Sequence, residues 1–94
     1  MEKFELAHEI DDTMSEMMRE HLEYGKKRIQ HFLSLMEELK VPFPKDLTSG
    51  ERRKILPLSD EDDCLYLEAT KKNGEMLYRF IIRFTNTLYF RLKK

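Results

Sequence analysis

Toward the end of this sequence, Tyr66 and Glu68, then Arg79 and Arg83, then Tyr89, Arg91 and Lys93 recur two or four residues apart. In β-strands that spacing puts each set on one face, because successive side chains alternate. A face mixing guanidinium and ammonium groups with tyrosine rings has a specific chemistry. The cations hold phosphates by charge, and each ring can stack an unpaired base, worth about 1–3 kcal/mol. The plainer alternative is a solvated outer sheet face, with arginine stems and tyrosine rings shielding the strands.

A second basic group, Arg52, Arg53 and Lys54, precedes an acidic run from Asp60 to Asp63. Both lie in "VPFPKDLTSGERRKILPLSDEDD", which holds all three prolines and Gly50 and shows no sustained period, so a long ordered connector is expected. Connectors of this length are functional or carry paired, solvated charges.

Other constellations offer less. Glu5 and His8 have the i, i+3 spacing of carboxylate-bridged metal sites, but no second such pair exists, so neither metal nor cofactor is expected. His21 and His31 fall among charges on helical stretches. Cys64 is the single cysteine, which rules out an internal disulfide and fits a reducing compartment. It would sit opposite Arg83, which favours a thiolate, though cysteines at strand starts are usually inert.

The elements that position these residues follow from local pattern. Asn73-Gly74 between two alternating runs is a strong hairpin signal, since a type I′ turn needs positive φ at both central positions. The register then runs from Lys72 opposite Glu75, through Ala69–Tyr78, Glu68–Arg79, Leu67–Phe80 and Tyr66–Ile81, to Leu65–Ile82, with the apolar partners on one face. A loop at Thr85, Asn86 and Thr87 would add a third strand, setting Phe84 against Leu88, Ile82 against Phe90 and Phe80 against Leu92.

Upstream, Phe4, Leu6, His8 and Ile10 alternate as in a short strand over 3–10, although Phe4, Ala7 and Ile10 also fit a helix start. Thr13 three residues before Glu16 forms a capping box. Met14, Met18, Leu22, Gly25, Ile29, Phe32, Met36 and Leu39 then make one apolar stripe. A single helix from 13 to 40 would run about 42 Å, and Gly costs about 1 kcal/mol in a helix interior. Two helices broken at "EYGKK" are therefore expected, with one long helix in a coiled-coil homodimer as the alternative. The methionines are expected to fill core, or to serve adaptable partner binding. The acids Glu9, Asp12, Glu16, Glu20 and Glu23 are expected on a solvated face.

The fold class is thus α+β in one domain over 1–94: a short N-terminal strand, two helices or one, then a three-stranded antiparallel meander packed on them. Ninety-four residues bury about 60–65% of the unfolded chain's surface. Charged residues make up 37% against 40% hydrophobic, which fits a globular chain. The net charge of -1 divides unevenly: residues 1–40 carry 6 Lys/Arg and 10 Asp/Glu, and residues 41–94 carry 11 and 8, that is -4 and +3. Local basic patches, not net charge, decide nucleic-acid binding. No apolar run approaches the roughly 20 residues of a membrane span, and "MEKFELAHEI" lacks a signal-peptide layout, so a cytoplasmic protein with no membrane partner is expected.

Taken whole, residues 3–94 resemble the RelE/ParE/HigB superfamily of small bacterial toxins. "GKKRIQHFLSLMEELKVPFPKD" is similar to the second helix and exit loop of the HigB-like branch. "ILPLSDEDDCLYLEAT" is similar to its Pro-Leu and Leu-Tyr-Glu strand, "GEMLYRFIIRF" to its Tyr-Arg-Ile strand, and "LYFRLKK" to its basic last strand. The resemblance implies a ribosome-dependent mRNA endoribonuclease neutralised by an antitoxin protein. Such chemistry needs a base, an acid for the leaving oxygen, and cations for the phosphorane charge. It would place Arg79 on the phosphate, Arg91, Lys93 and Lys94 in the basic terminal segment, and Arg52, Arg53 and Lys54 on the RNA backbone. Glu68 would be a base or the cross-strand partner of Arg79. Two departures stand out: Ala69 and Thr70 occupy the place of the family's usual arginine, and its terminal Tyr or His has no counterpart, leaving Tyr89 or Tyr66 as stand-ins. A non-enzymatic module, dimeric through its methionine-rich helix and binding nucleic acid or an acidic partner through the sheet face, is the other function class.

Overall fold

The computed structural model describes residues 3–8, 13–58, 63–83 and 85–93. It is α+β, with one helix and an antiparallel sheet. In chain order the elements are β1 (Phe4–Leu6), α1 (Glu16–Glu38), β2 (Arg52–Pro57), β3 (Cys64–Lys72), β4 (Glu75–Ile82), β5 (Thr85–Asn86) and β6 (Phe90–Leu92). The strand order is β1-β6-β4-β3-β2, with β5 folded back on β4.

One helix stands where two were expected. It starts later than the Thr13 box implies, because Ser15 is extended (φ -67°, ψ 160°) and its side chain accepts the Met18 N–H at 3.2 Å. It then runs unbroken through Gly25 for 23 residues, about 34 Å, within the 41 Å long axis of the molecule. Gly25 is there for packing: a Cβ at this position would lie 2.5 Å from Leu88 Cδ1. The helix ends in a Schellman motif, with Lys40 at φ 58°, Lys40 N–H donating to Glu37 O (3.1 Å) and Val41 N–H to Met36 O (2.8 Å).

The helix lays Ile29, Phe32, Leu33 and Met36 against Leu65, Leu67, Ala69, Tyr78, Phe80 and Phe90 of the sheet. Phe80 stacks on Phe90 (5.5 Å), and Phe32 tilts against Phe80 (5.3 Å). Of the methionines expected inside, Met36 is buried, whereas Met17 and Met18 are 79% and 55% exposed. Glu16 to His21 are all exposed, so the first turns of α1 extend past the sheet.

The β3–β4 hairpin has the expected register from Lys72↔Glu75 to Tyr66↔Ile81, with Asn73 and Gly74 at φ 51° and 77°. The third strand does not follow a Thr85–Thr87 loop. The chain reverses between Ile82 and Thr85, which pair directly, and Arg83 takes φ 49°. A one-residue bulge follows: Ile81 faces Asn86, but Tyr78 faces Phe90. Thr87 bridges the irregularity, accepting the Phe80 N–H on Oγ1 (2.7 Å) and donating its own N–H to Phe80 O (2.8 Å).

The connector expected over 41–63 contains a strand. β2 pairs with β3 through Arg52↔Glu68, Arg53↔Leu67 and Lys54↔Tyr66, then shifts register around Ile55 so that buried Leu56 faces Leu65. The shift conceals the strand from a period-two reading, since Leu56 would otherwise share the face of Arg52 and Lys54. Pro57 is tolerated because β2 is an edge strand. Leu47 of the preceding segment is also core, and Phe43 meets Tyr78 edge-on at 4.9 Å.

β1 is shorter than the expected strand. Only Phe4–Leu6 pair with β6, His8 is exposed beyond the strand, and Ile10 lies outside the described residues. No helix among the described residues is long and apolar enough to cross a membrane.

Candidate functional site

The sheet face turned away from α1 is ordered in rows across the strands. In one row Arg52 (β2), Glu68 (β3) and Arg79 (β4) are in register. Arg52 Nη2 donates to Glu68 Oε2 at 2.9 Å, and Arg79 Nε donates to Oε1 at 2.8 Å, with Arg79 Nη2 also 2.8 Å from Oε1. The Arg79 guanidinium carbon sits 4.9 Å from the centre of the Tyr89 ring, which closes the row. The adjacent row toward β2's far end is Lys54, Tyr66, Ile81 and Asn86. On the other side, Thr70 faces Leu77, and Arg91 faces Glu5.

Glu68 is the most constrained acid in the row, with a side chain only 13% exposed. Burial pushes its carboxyl upward, but the hydrogen bond from Arg52 and the charge and hydrogen bond of Arg79 outweigh burial and hold it below the ordinary glutamate value. As a carboxylate whose two oxygens are both taken, it is a weak base and a strong anchor. Glu68 is thus the salt-bridge partner of Arg79, one of its two expected roles.

The remaining expected site residues divide. Arg91 joins this face but is committed, donating to Leu6 O at 3.3 Å and pairing with Glu75. Tyr66 and Lys54 join it as well, and Lys54 makes no ion pair among the described residues. Arg53 does not: opposite Leu67, it turns to the helix side and pairs with Asp46 (2.9 Å) and Glu51 (2.8 Å). The hydrogen bond from Arg53 lowers the Asp46 carboxyl. Glu51 is lowered first by the Thr48 backbone N–H and then by Arg53. The basic triplet is therefore split by strand alternation.

Arg83 has left the strand at the turn and pairs with Asp63, so it is not opposite Cys64, whose partner is Pro57. Lys93 is exposed beyond β6 and lines a separate depression with Lys45 and Tyr78. Tyr78 is raised by burial, partly offset by the Lys45 charge. Lys94 lies outside the described residues. No cluster of metal-ligating side chains occurs among the described residues.

The sequence reading missed the apolar part of this face. Leu77 and Ile81 alternate with Arg79 yet are 7% and 5% exposed, although the apolar partners were expected on the core face alone. It placed Lys72 opposite Glu75, as observed, but did not count Lys72 among the cations of this face. Beside Leu77 lies a groove of about 490 Å³, walled by Tyr89, Thr70 and Arg91. The signal was present in the period-two spacing of Leu77, Arg79 and Ile81. No family model matches the chain, and no similar protein emerges from comparison with curated proteins or with solved structures.

Proposed function

We propose that this chain is a non-enzymatic α+β module that binds single-stranded RNA across the sheet face opposite its helix. The observation that carries this reading is the row Arg52–Glu68–Arg79–Tyr89, flanked by Tyr66 and Lys54. Among the described residues of this face, Arg52, Lys54, Lys72, Arg79 and Arg91 outnumber Glu5, Glu68 and Glu75, so it carries a positive excess on a chain of net charge -1. The rings of Tyr66 and Tyr89 offer stacking surfaces, and a strand's unpaired bases are recognised in this way.

Fluorescence anisotropy of a labelled U₈ oligoribonucleotide tests it. Lys54 and Lys72 are the cations of this face without an acid partner among the described residues, so log K should fall with log [KCl] with a slope of roughly -1.4, at about -0.7 per neutralised phosphate. Tyr66→Ala should weaken binding roughly five- to hundredfold. Absence of binding at 50 mM KCl would sink the proposal.

A second reading is the ribosome-dependent mRNA endoribonuclease, neutralised by an antitoxin, that the RelE/HigB resemblance implies. One observation favours it: Glu68 and Arg79, an acid and a cation, lie side by side on this face. The chemistry would require Glu68 to release Arg52 before accepting a 2′-hydroxyl proton, and its lowered pKa weakens it for that task. Induced expression in a bacterial host separates the readings. Growth arrest with cleaved transcripts, relieved by Arg79→Ala, supports the nuclease, whereas normal growth with intact mRNA counts against it.

A further inference from the structure

The groove beside Tyr89 has features the rows of cations lack. Its floor is the buried Leu77, and one wall is the Tyr89 ring. That ring is held on one side by the Arg79 guanidinium at 4.9 Å. Arg79 does not line the groove, so Tyr89 is the residue that touches both the guanidinium and the cavity. Thr70 and Asn73 line the rim with a hydroxyl and an amide, each able to donate and accept. Lys72 stands at the same rim, and Arg91 is fixed by Leu6 O and Glu75.

The volume, about 490 Å³, falls in the range of small-molecule sites, roughly 300–1,000 Å³. That is far more than an ion or a water needs, since one water takes about 30 Å³. A planar wall, an apolar floor and a rim of paired donors and acceptors match the two faces and the edge of a heterocyclic base. Thr70 and Leu77 of the lining are the next pair on this face after Glu68 and Arg79, so a base lodged here stays within reach of a strand lying across the sheet.

We infer that this groove is a nucleobase site, which takes one splayed base of the bound strand against Tyr89. The base lies on Leu77, its edge meets Thr70 and Asn73, and its phosphate lies toward Lys72. The inference rests on the RNA-binding reading and shares Tyr89 and Lys72 with it, but Thr70, Leu77 and Asn73 belong to the groove alone.

The experiment is a ¹⁵N-¹H NMR titration of the full chain with adenosine 5′-monophosphate and uridine 5′-monophosphate at millimolar concentration, alongside U₈ anisotropy. Wild type is compared with Thr70→Phe, which fills the groove with a good strand former, and with Asn73→Gly, which removes the amide but keeps the turn. The expected result is a saturable shift of the Thr70, Leu77 and Tyr89 amides with at least one nucleotide. Thr70→Phe should abolish it and weaken U₈ roughly five- to hundredfold, and Asn73→Gly should reduce it. Retained U₈ binding with shifts confined to Lys54, Tyr66 and Arg79, unchanged in both variants, overturns the groove while leaving the RNA-binding module standing. Groove shifts with mononucleotides but no U₈ binding keep the base site and remove the RNA reading. Neither kind of binding, with the wild-type spectrum folded, removes both.

Discussion

Gly25, in the middle of the helix, lies so close to Leu88 that an added Cβ would stand 2.5 Å from Cδ1 and 2.8 Å from Cγ. Two opposing terms meet there. Alanine favours the helix by about 1 kcal/mol over glycine, whereas overpacking costs about 1–3 kcal/mol. Gly25→Ala should therefore be destabilising in urea melts. In the Leu88→Ala background, where the clash is gone, the same change should stabilise. A Gly25→Ala effect of equal size in both backgrounds would show that the contact does not control the site.

Thr87 does the work of a ladder residue with its side chain. Phe80 N–H donates to Thr87 Oγ1 at 2.7 Å inside the core, and Oγ1 lies 3.2 Å from Phe80 O. Thr87→Val keeps the shape and leaves the Phe80 N–H unpaired, at a cost of about 1–3 kcal/mol. Denaturant melts should show a lowered midpoint with an unchanged m-value. Amide exchange at Phe80 should accelerate beyond what global destabilisation explains.

The Gly74 φ of 77° is left-handed. An alanine there should cost about 1–2 kcal/mol, although nothing lies within 4 Å of the added Cβ. Because the penalty is conformational, Gly74→Asn should recover part of it. Equal stabilities for the two variants would contradict this account.

Glu68 makes acid stability its own test. Its folded-state pKa is depressed, so in the acid range the unfolded chain binds more protons than the folded one, and stability rises with pH. The contribution is complete above the ordinary glutamate pKa, about 4.3, and is lost as pH falls through the lower folded value. Glu68→Gln should melt below wild type at pH 7, and the gap should narrow toward pH 3. A gap constant from pH 7 to pH 3 would mean that the Arg52–Glu68–Arg79 bridge carries no net charge stabilisation.

The exposed start of the helix offers a last check. Met17 and Met18 are 79% and 55% exposed, so Met17→Lys should change stability by less than about 0.5 kcal/mol, as surface substitutions do. A loss near that of a core methionine, about 2–5 kcal/mol on truncation, would place this face inside a contact.

The sequence by itself determined what is local. Asn73-Gly74 specified the turn, and with it the pairing of β3 with β4 and the faces of Tyr66, Glu68 and Arg79, because a two-residue loop leaves one register and side chains alternate strictly. Phe90 and Leu92 came out on the core face, and Tyr89 and Arg91 on the other, although Phe90 lies opposite Tyr78 rather than Ile82. A slide of four residues is even, and so preserves faces while changing partners. The tertiary structure decided whatever depended on contacts between distant segments. Gly25 reads as a helix break until Leu88 occupies its missing Cβ. The phase of β2 is broken at Ile55, so the strand becomes visible only once Leu56 is seated opposite Leu65. The basic groups were legible as residues but not as a surface, since their availability depends on which acids folding brings within reach. Arg52 and Arg79 share Glu68, Arg53 goes to Asp46 and Glu51, and Arg91 goes to Glu75. Charge pairing at short range is a property of three-dimensional neighbours, and a linear pattern carries only the charges.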